Sequence, residues 1–227
     1  MKYNLVLLDL DGTLLDFKKS QKSAFFRCFP DGDEALYEHY ETINVAQWAR
    51  LERGEATREE ILHARFAIFM DEANIPGDPD EMNIRYLNFL SEGCDPIDGA
   101  LEAVDKLSKN FKLAMVSNGV ALVQHRRLKE SGLLPYFDTV LISEEIGFAK
   151  PDPRFFSTAM ERCGETDPKK VLMIGDSLSA DIAGGISAGV DTCWFNPEHH
   201  PLPEGYAPTY IADDTMQFVS LAERGEL

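Results

Sequence analysis

Six short apolar runs punctuate the chain: "NLVLLDL" from Asn4, "FKLAMVS" from Phe111, "DTVLIS" from Asp138, "KVLMIGD" from Lys170, "VDTCWF" from Val190 and "TYIAD" from Thr209. Each has about the length and the β-branched or aromatic content of a strand buried on both faces. Helical stretches alternate with them, which predicts an α/β fold built on a doubly wound, mostly parallel sheet. The spacing is regular except once. Roughly a hundred residues separate the first run from the second, far more than a βα connection requires. Within that gap "TREEILHARFAIFMDEAN" has helical periodicity, and Thr57 with Glu60 three positions later predicts a capping box. "DGDEALYEHYETINVAQWARLERG" and "DPDEMNIRYLNFLSEG" read as further helices closed by glycine. The expected organisation is an α/β core from residues 1–16 and 95–227 and an inserted α-helical unit, residues 17–94, with hinges near Asp16–Lys19 and Gly93–Pro96.

Charge narrows the classes of partner. The 227 residues hold 22 Lys plus Arg against 39 Asp plus Glu, a formal −17. Residues 31–95 contain 16 acids, five arginines and no lysine, so that segment supplies −11 of the total. Such a field works against a site that tracks nucleic-acid phosphates or an anionic membrane. A small anionic substrate stays compatible if the site supplies local positive charge from a metal, a lysine or backbone amides. Cys28, Cys94, Cys163 and Cys193 show no CxxC or zinc-finger spacing, so they are expected to be reduced and structural. The N-terminus lacks a signal-peptide pattern, and no apolar run reaches the ~20 residues of a membrane span. A soluble, cytoplasmic protein is expected.

Candidate chemistry clusters where strands end. In "LLDLDGTLLD" Asp9 and Asp11 are two apart and project to one side, while Leu8 and Leu10 face the other. Two carboxylates so placed repel and call for a cation, a shared proton or both. Hard oxygen donors of this kind suit Mg²⁺, and Gly12 and Thr13 provide a tight turn with amides for an anion. The bland alternative is an ordinary acidic turn. A second acidic set, Asp176 and Asp181, follows the strand in "VLMIGDSLSADIAGG". In a parallel sheet the carboxyl ends lie on one side, so Asp176 is placed to meet Asp9. Its alternative is N-capping of the next helix by Asp176, Ser177 or Ser179. Ser117 and Asn118 in "LAMVSNG" end a third strand with a hydroxyl and an amide able to hydrogen-bond a phosphoryl oxygen. In "IGFAKPDPRFF" Pro151 holds Lys150 extended, as local positive charge for the acids.

In order and spacing, "DLDGT" at Asp9, "SN" at Ser117, "KP" at Lys150 and "GDSLSAD" at Asp176 resemble the four motifs of the haloacid dehalogenase-like superfamily of phosphatases, and the insert resembles its helical cap. The resemblance covers essentially the whole chain. It implies a Rossmann-like core and hydrolysis of phosphate monoesters through an aspartyl-phosphate on Asp9, with Asp11 as general acid and base. It further implies Mg²⁺ held by Asp9, the backbone carbonyl of Asp11 and Asp176, with Asp181 in support. Ser117, Asn118 and Lys150 would bind the phosphoryl group. Dehalogenases generally lack an acid at the position of Asp11, so phosphate esters are favoured.

The stretches "NVAQWARLERGEATREEILHARF", "LKESGLLPYFDTVLISEEIGFAKP" and "GDSLSADIAGGISAGVDTCWFNPEHHPLPEGYAPTY" are similar to bacterial pyrimidine 5′-nucleotidases that act on noncanonical nucleotides. That similarity implies a nucleoside monophosphate as the substrate. Asn44 and Trp48, four apart on one helix face, are the candidate base readers, with bundle core as the alternative for Trp48. His63 and Arg65 read as surface or cap packing, Trp194 as core, and His199 and His200 receive no role. Two other functions stay open: a phosphatase or phosphomutase for sugar phosphates or other small metabolites, and a non-catalytic receiver-type phospho-signalling module. Receiver domains lack the insert and the GDxxxxD set.

Overall fold

A computed structural model describes residues 2–224. Its six strands form one parallel sheet: β1 (Leu5–Leu8), β2 (Lys112–Ser117), β3 (Thr139–Ile142), β4 (Val171–Gly175), β5 (Asp191–Phe195) and β6 (Tyr210–Ala212), in the order β3-β2-β1-β4-β5-β6. All six apolar runs of the sequence are strands. Leu5 to Leu8 pair in register with Lys112 to Met115 on one side and Val171 to Ile174 on the other, so β1 is central.

The helices are α1 (Phe17–Cys28), α2 (Glu34–Glu52), α3 (Arg58–Glu72), α4 (Pro79–Leu90), α5 (Ala100–Ser108), α6 (Ala121–Glu130), α7 (Ser143–Ile146), α8 (Pro153–Cys163), α9 (Ala183–Ala188) and α10 (Thr215–Arg224). Alternation along the strands feeds two cores. Leu5, Leu7, Ala114, Val116 and Met173 pack against Phe155, Phe156 and Ala159 of α8. Val6, Leu8, Met115 and Ile174 pack with Val104 and Leu107 of α5 and Phe218 of α10. Burial on both faces is why the strands read as unbroken hydrophobic runs. Each fully buried leucine contributes about 1.5–3 kcal/mol, enough to fix the register. Gly184 and Gly185 keep α9 close: a Cβ on the first would stand 2.5 Å from Phe156 Cε2, and on the second 2.6 Å from Thr192 Cγ2.

The chain divides into two compact units, one of Met1–Asp16 with Cys94–Leu227 and the other Phe17–Gly93. The second unit is helical, α1 to α4, around buried Phe25, Tyr40, Phe66, Phe69 and Tyr86. Tyr40 stacks on Phe66 with centroids 5.2 Å apart. The capping box forms, with Glu60 N donating to Thr57 Oγ1 at 3.3 Å and Thr57 N to Glu60 Oε2 at 2.7 Å. Helix α1 is not among the helical patterns legible in the insert, because Ser20 and Gln21 occupy inward positions beside Ala24, Phe25 and Cys28 and blur the apolar stripe. Among the described residues no helix is long and apolar enough to cross a membrane, and the four cysteines are free.

Candidate active site

The strand order runs outward in both directions from β1 and β4, which makes their carboxyl ends the switch point where α/β sheets bind ligands. Asp9 follows β1 and stays tied to β4, its N–H donating to Ile174 O at 3.0 Å. Asp176 follows β4. A π-helical turn, Leu178–Ile182, then carries Asp181 back to the same place. Ser177 caps that turn by accepting from Ala180 N at 3.1 Å, so the capping alternative does not apply to Asp176. The Asp176 carboxylate faces Thr13 instead: Thr13 Oγ1 donates to Asp176 Oδ1 at 3.1 Å and accepts from Asp176 N at 3.1 Å. Trp194 is core, as expected, and its indole N–H holds the Asp176 carbonyl at 3.0 Å.

Two glycines make room for the acids. At Gly12, φ +81°, a Cβ would lie 2.4 Å from Asp176 Oδ2. At Gly175 it would lie 2.2 Å from Asp181 Oδ2, inside any permissible contact. Close approach, as well as the turn at Gly12, therefore requires glycine at both.

Asp9, Asp176 and Asp181 present carboxylate oxygens within 4.8 Å of one another. Buried Lys150 donates to Asp9 Oδ1 at 2.6 Å, Asp181 Oδ1 at 2.7 Å and Val116 O at 3.2 Å. Those acceptors use all three ammonium protons. Lys150 in this arrangement is the counter-ion of the acids, the local positive charge the sequence called for. Burial by itself would lower its pKa, but Asp181 and Asp9 outweigh that and raise it. Burial pushes Asp9 well above the usual carboxylate range, with Lys150 opposing and Asp181 and Asp176 adding to the rise. Burial, followed by the Asp181 charge, pushes Asp176 up to about 7. With all three carboxylates ionised, −3 and the +1 of Lys150 leave −2. A divalent cation supplies the missing charge, and an all-oxygen donor set is the chemistry Mg²⁺ takes.

The Asp11 carboxylate is not in that cluster. It was expected to converge with Asp9, but past β1 the chain turns at Gly12, and the two acids find separate cations: Lys150 for Asp9 and Arg127 Nη1 for Asp11. Gln124 Nε2 donates to the other Asp11 oxygen at 2.7 Å. Ser117 Oγ accepts from Gln124 Nε2 at 2.7 Å and from Gly119 N at 3.0 Å. A serine oxygen has two acceptor sites and one proton, so its O–H is left to donate, as an anionic ligand requires. Asn118, expected on phosphate, also holds the loop that carries Lys150: its amide donates to Lys150 O at 2.7 Å and its carbonyl accepts from Lys150 N at 2.8 Å.

Sequence reasoning missed Gln124, Arg127 and the Thr13 hydroxyl. The i, i+3 spacing of Gln124 and Arg127 on α6 was the available signal, hidden in "QHRRLKE", which reads as a basic surface. In the helical unit Asn44 is buried and accepts from Arg65 Nη1 at 3.1 Å, while Arg65 Nη2 donates to Asn83 Oδ1 at 2.6 Å. Arg65 is thus interior packing, and His63 is exposed against Asp80 at 2.8 Å. Trp48 is half-buried, with the Arg58 guanidinium 5.9 Å from its ring centroid, so it is not part of the bundle core.

Residues 3–189 match the haloacid dehalogenase-like hydrolase family. The chain is 35% identical to the pyrimidine 5′-nucleotidase YjjG of Escherichia coli, over 97% of this chain and 98% of that protein. It is 34% identical to the pyrimidine 5′-nucleotidase PynA of Streptococcus pneumoniae, over 92% and 91%. The crystal structure of the HAD-hydrolase YfnB from Bacillus subtilis, bound to magnesium and described as revealing interdomain movement, superposes with a TM-score of 0.91 at 36% identity, covering 98% of this chain and 99% of that one.

Proposed function

From the premise that this chain belongs to the haloacid dehalogenase-like hydrolase family, we propose that it is a Mg²⁺-dependent phosphomonoesterase that forms an aspartyl-phosphate on Asp9 and acts on pyrimidine nucleoside 5′-monophosphates. The observation that carries the chemistry is the switch-point cluster of Asp9, Asp176 and Asp181, which with Lys150 is two positive charges short of neutrality. The substrate class is carried by the names of two relatives that are similar over nearly their whole length.

An oxygen of Asp9 attacks phosphorus in line as the bond from phosphorus to the ester oxygen breaks. Asp11, in its protonated form, gives its proton to the departing alkoxide, and the nucleoside leaves as an alcohol. Asp11 then takes a proton from the water that attacks the aspartyl-phosphate, releasing inorganic phosphate and restoring both aspartates. Lys150 holds the nucleophile and Asp181 in register and offsets phosphate charge, while Ser117 donates its O–H to a phosphoryl oxygen. Asp9, Asp176 and Asp181, with the Asp11 carbonyl, are the groups that would hold Mg²⁺, with Asp181 in support. When bound, Mg²⁺ supplies charge neutralisation between the anionic nucleophile and the anionic ester. Asn44 and Trp48 are the proposed base readers. With its carbonyl on Arg65, the Asn44 amide keeps its N–H donors, the group that would hydrogen-bond a carbonyl oxygen of a pyrimidine.

Initial rates on a panel of pyrimidine and purine monophosphates, sugar phosphates and aryl phosphates, with and without Mg²⁺, test this. UMP, dUMP and dTMP should lead the panel, and chelation should abolish turnover. Higher kcat/KM on sugar phosphates would overturn the substrate assignment and leave the chemistry standing. Asp9→Asn, nearly isosteric, should fold normally and lose turnover by at least ~10³-fold, as expected for loss of a covalent nucleophile. Retained turnover, or no label on Asp9 after acid quench with radiolabelled ester, would overturn the mechanism.

A further inference from the structure

Helix α6 sends two buried side chains toward Asp11. Arg127 is 0% exposed, and its Nη1 donates to Asp11 Oδ1 and, at 3.3 Å, to Gln124 Oε1. Gln124 is 1% exposed, and its Nε2 donates at 2.7 Å to Asp11 Oδ2 and at 2.7 Å to Ser117 Oγ. We infer that Arg127 and Gln124 are positioning residues that grip both oxygens of Asp11 and tie it to the Ser117 hydroxyl, so that the proton-transfer carboxylate and the phosphoryl-binding O–H are held in one geometry. The inference rests on the reading of Asp11 as general acid and base.

Three observations favour this over plain packing. Desolvating a guanidinium costs several kcal/mol, and α6 already supplies Val123 and Leu128 to the interior, so a methionine at 127 would fill the space without that cost. The charge is useful for what it holds, and it holds Asp11. The orientation of Gln124 is also unambiguous, because its carbonyl faces an obligate donor and its amide faces two acceptors. Finally, space is kept for that amide: a Cβ at Gly119 would lie 2.5 Å from Gln124 Nε2, so the glycine of "SNG" admits the side chain that couples Asp11 to Ser117.

A grip on the proton-transfer group has a signature that folding defects do not share. A nucleoside 5′-alkoxide is a poor leaving group and needs the proton from Asp11, whereas p-nitrophenolate departs almost unaided. Hydrolysis of the aspartyl-phosphate, with Asp11 as base, is common to both esters, so the comparison is made on kcat/KM, which ends at departure of the alcohol. It is measured with kcat and KM on UMP and on p-nitrophenyl phosphate for Asp11→Asn, Arg127→Met, Arg127→Lys and Gln124→Met, each checked by circular dichroism and Tm. Arg127→Met should lose ~100-fold in kcat/KM on UMP and only ~5-fold on the aryl ester, the scale of a misplaced catalytic group. Arg127→Lys should fall between it and wild type, since an ammonium keeps the charge but not the fixed plane from which Nη1 reaches both Asp11 and Gln124. Gln124→Met should show the same selectivity together with a raised KM on both esters, because Ser117 loses its holder. If Arg127→Met does not fold, Arg127→Lys and Gln124→Met carry the comparison. Equal losses of kcat/KM on both esters, or none, in the Arg127 and Gln124 variants while Asp11→Asn remains selective would overturn the positioning role alone. Equal losses of kcat/KM on both esters in Asp11→Asn would overturn the acid–base reading, and the positioning role with it.

Discussion

Burial, more than any neighbouring charge, governs the titration of Asp176. Its carboxyl is lifted from 3.8 to about 7 by burial and by the Asp181 charge, and Asp9 is lifted in the same direction. A carboxyl whose folded pKa lies above its unfolded value binds its proton more tightly when folded. Its contribution is therefore fully present below pH ~4 and is lost as pH rises through ~7. Without divalent cation, Tm should fall between pH 5 and 8 as Asp176 ionises beside Asp9 and Asp181. Mg²⁺ should raise Tm more at pH 8 than at pH 5.5, since it binds the ionised form. Differential scanning fluorimetry across that range, with EDTA or with Mg²⁺, measures both trends, and a Mg²⁺ shift that is larger at pH 5.5 would contradict the coupling. The four motif aspartates were legible in the sequence as acids at strand ends. Their division of labour was not, because it depends on Lys150 and Arg127, which lie 141 and 116 residues away in the chain from the acids they pair with.

Elements differ in how openly their sequences declare them. The capping box at Thr57 and Glu60 is local chemistry, carried by residues three apart, and it forms as read. Thr57→Ala should lower the stability of the helical unit by about 1 kcal/mol, seen as an earlier urea midpoint, while Thr57→Ser should restore it. An unchanged midpoint would mean that α3 is held by packing alone. Strands were equally plain, since burial on both faces demands continuous apolar runs. Helices α1 and α6 were harder to read for one shared reason: polar side chains point inward. Ser20 and Gln21 hide the stripe of α1, and Gln124 and Arg127 hide the working face of α6. Hydrophobic periodicity reports the solvent-facing alternation of a helix and is blind to a buried face made of hydrogen-bonding groups.

For the whole molecule, charge is the dominant sequence-level quantity. A net −17 concentrates self-repulsion that the fold must withstand. With Mg²⁺ saturating, raising monovalent salt from ~0.02 to ~0.3 M shortens the screening length from about 20 Å to about 6 Å. That should stabilise the protein by about 1 kcal/mol, a Tm rise of about 3 °C, and a falling Tm would show that attractive ion pairs outweigh the repulsion. The strand order came from the tertiary structure. Apolar runs alternating with helical stretches, broken by one long gap, are why a doubly wound sheet with a helical insert could be read directly from the chain. The acids at the ends of β1 and β4, the glycines beside them and the capping residues were likewise encoded locally, in side-chain type and spacing. Which cation meets which carboxylate, why Asn118 serves the backbone of Lys150, and how Gln124 joins Asp11 to Ser117 are facts of approach between distant segments. They emerge when burial in a common interior strips away water and leaves each polar group to find its partner in the protein.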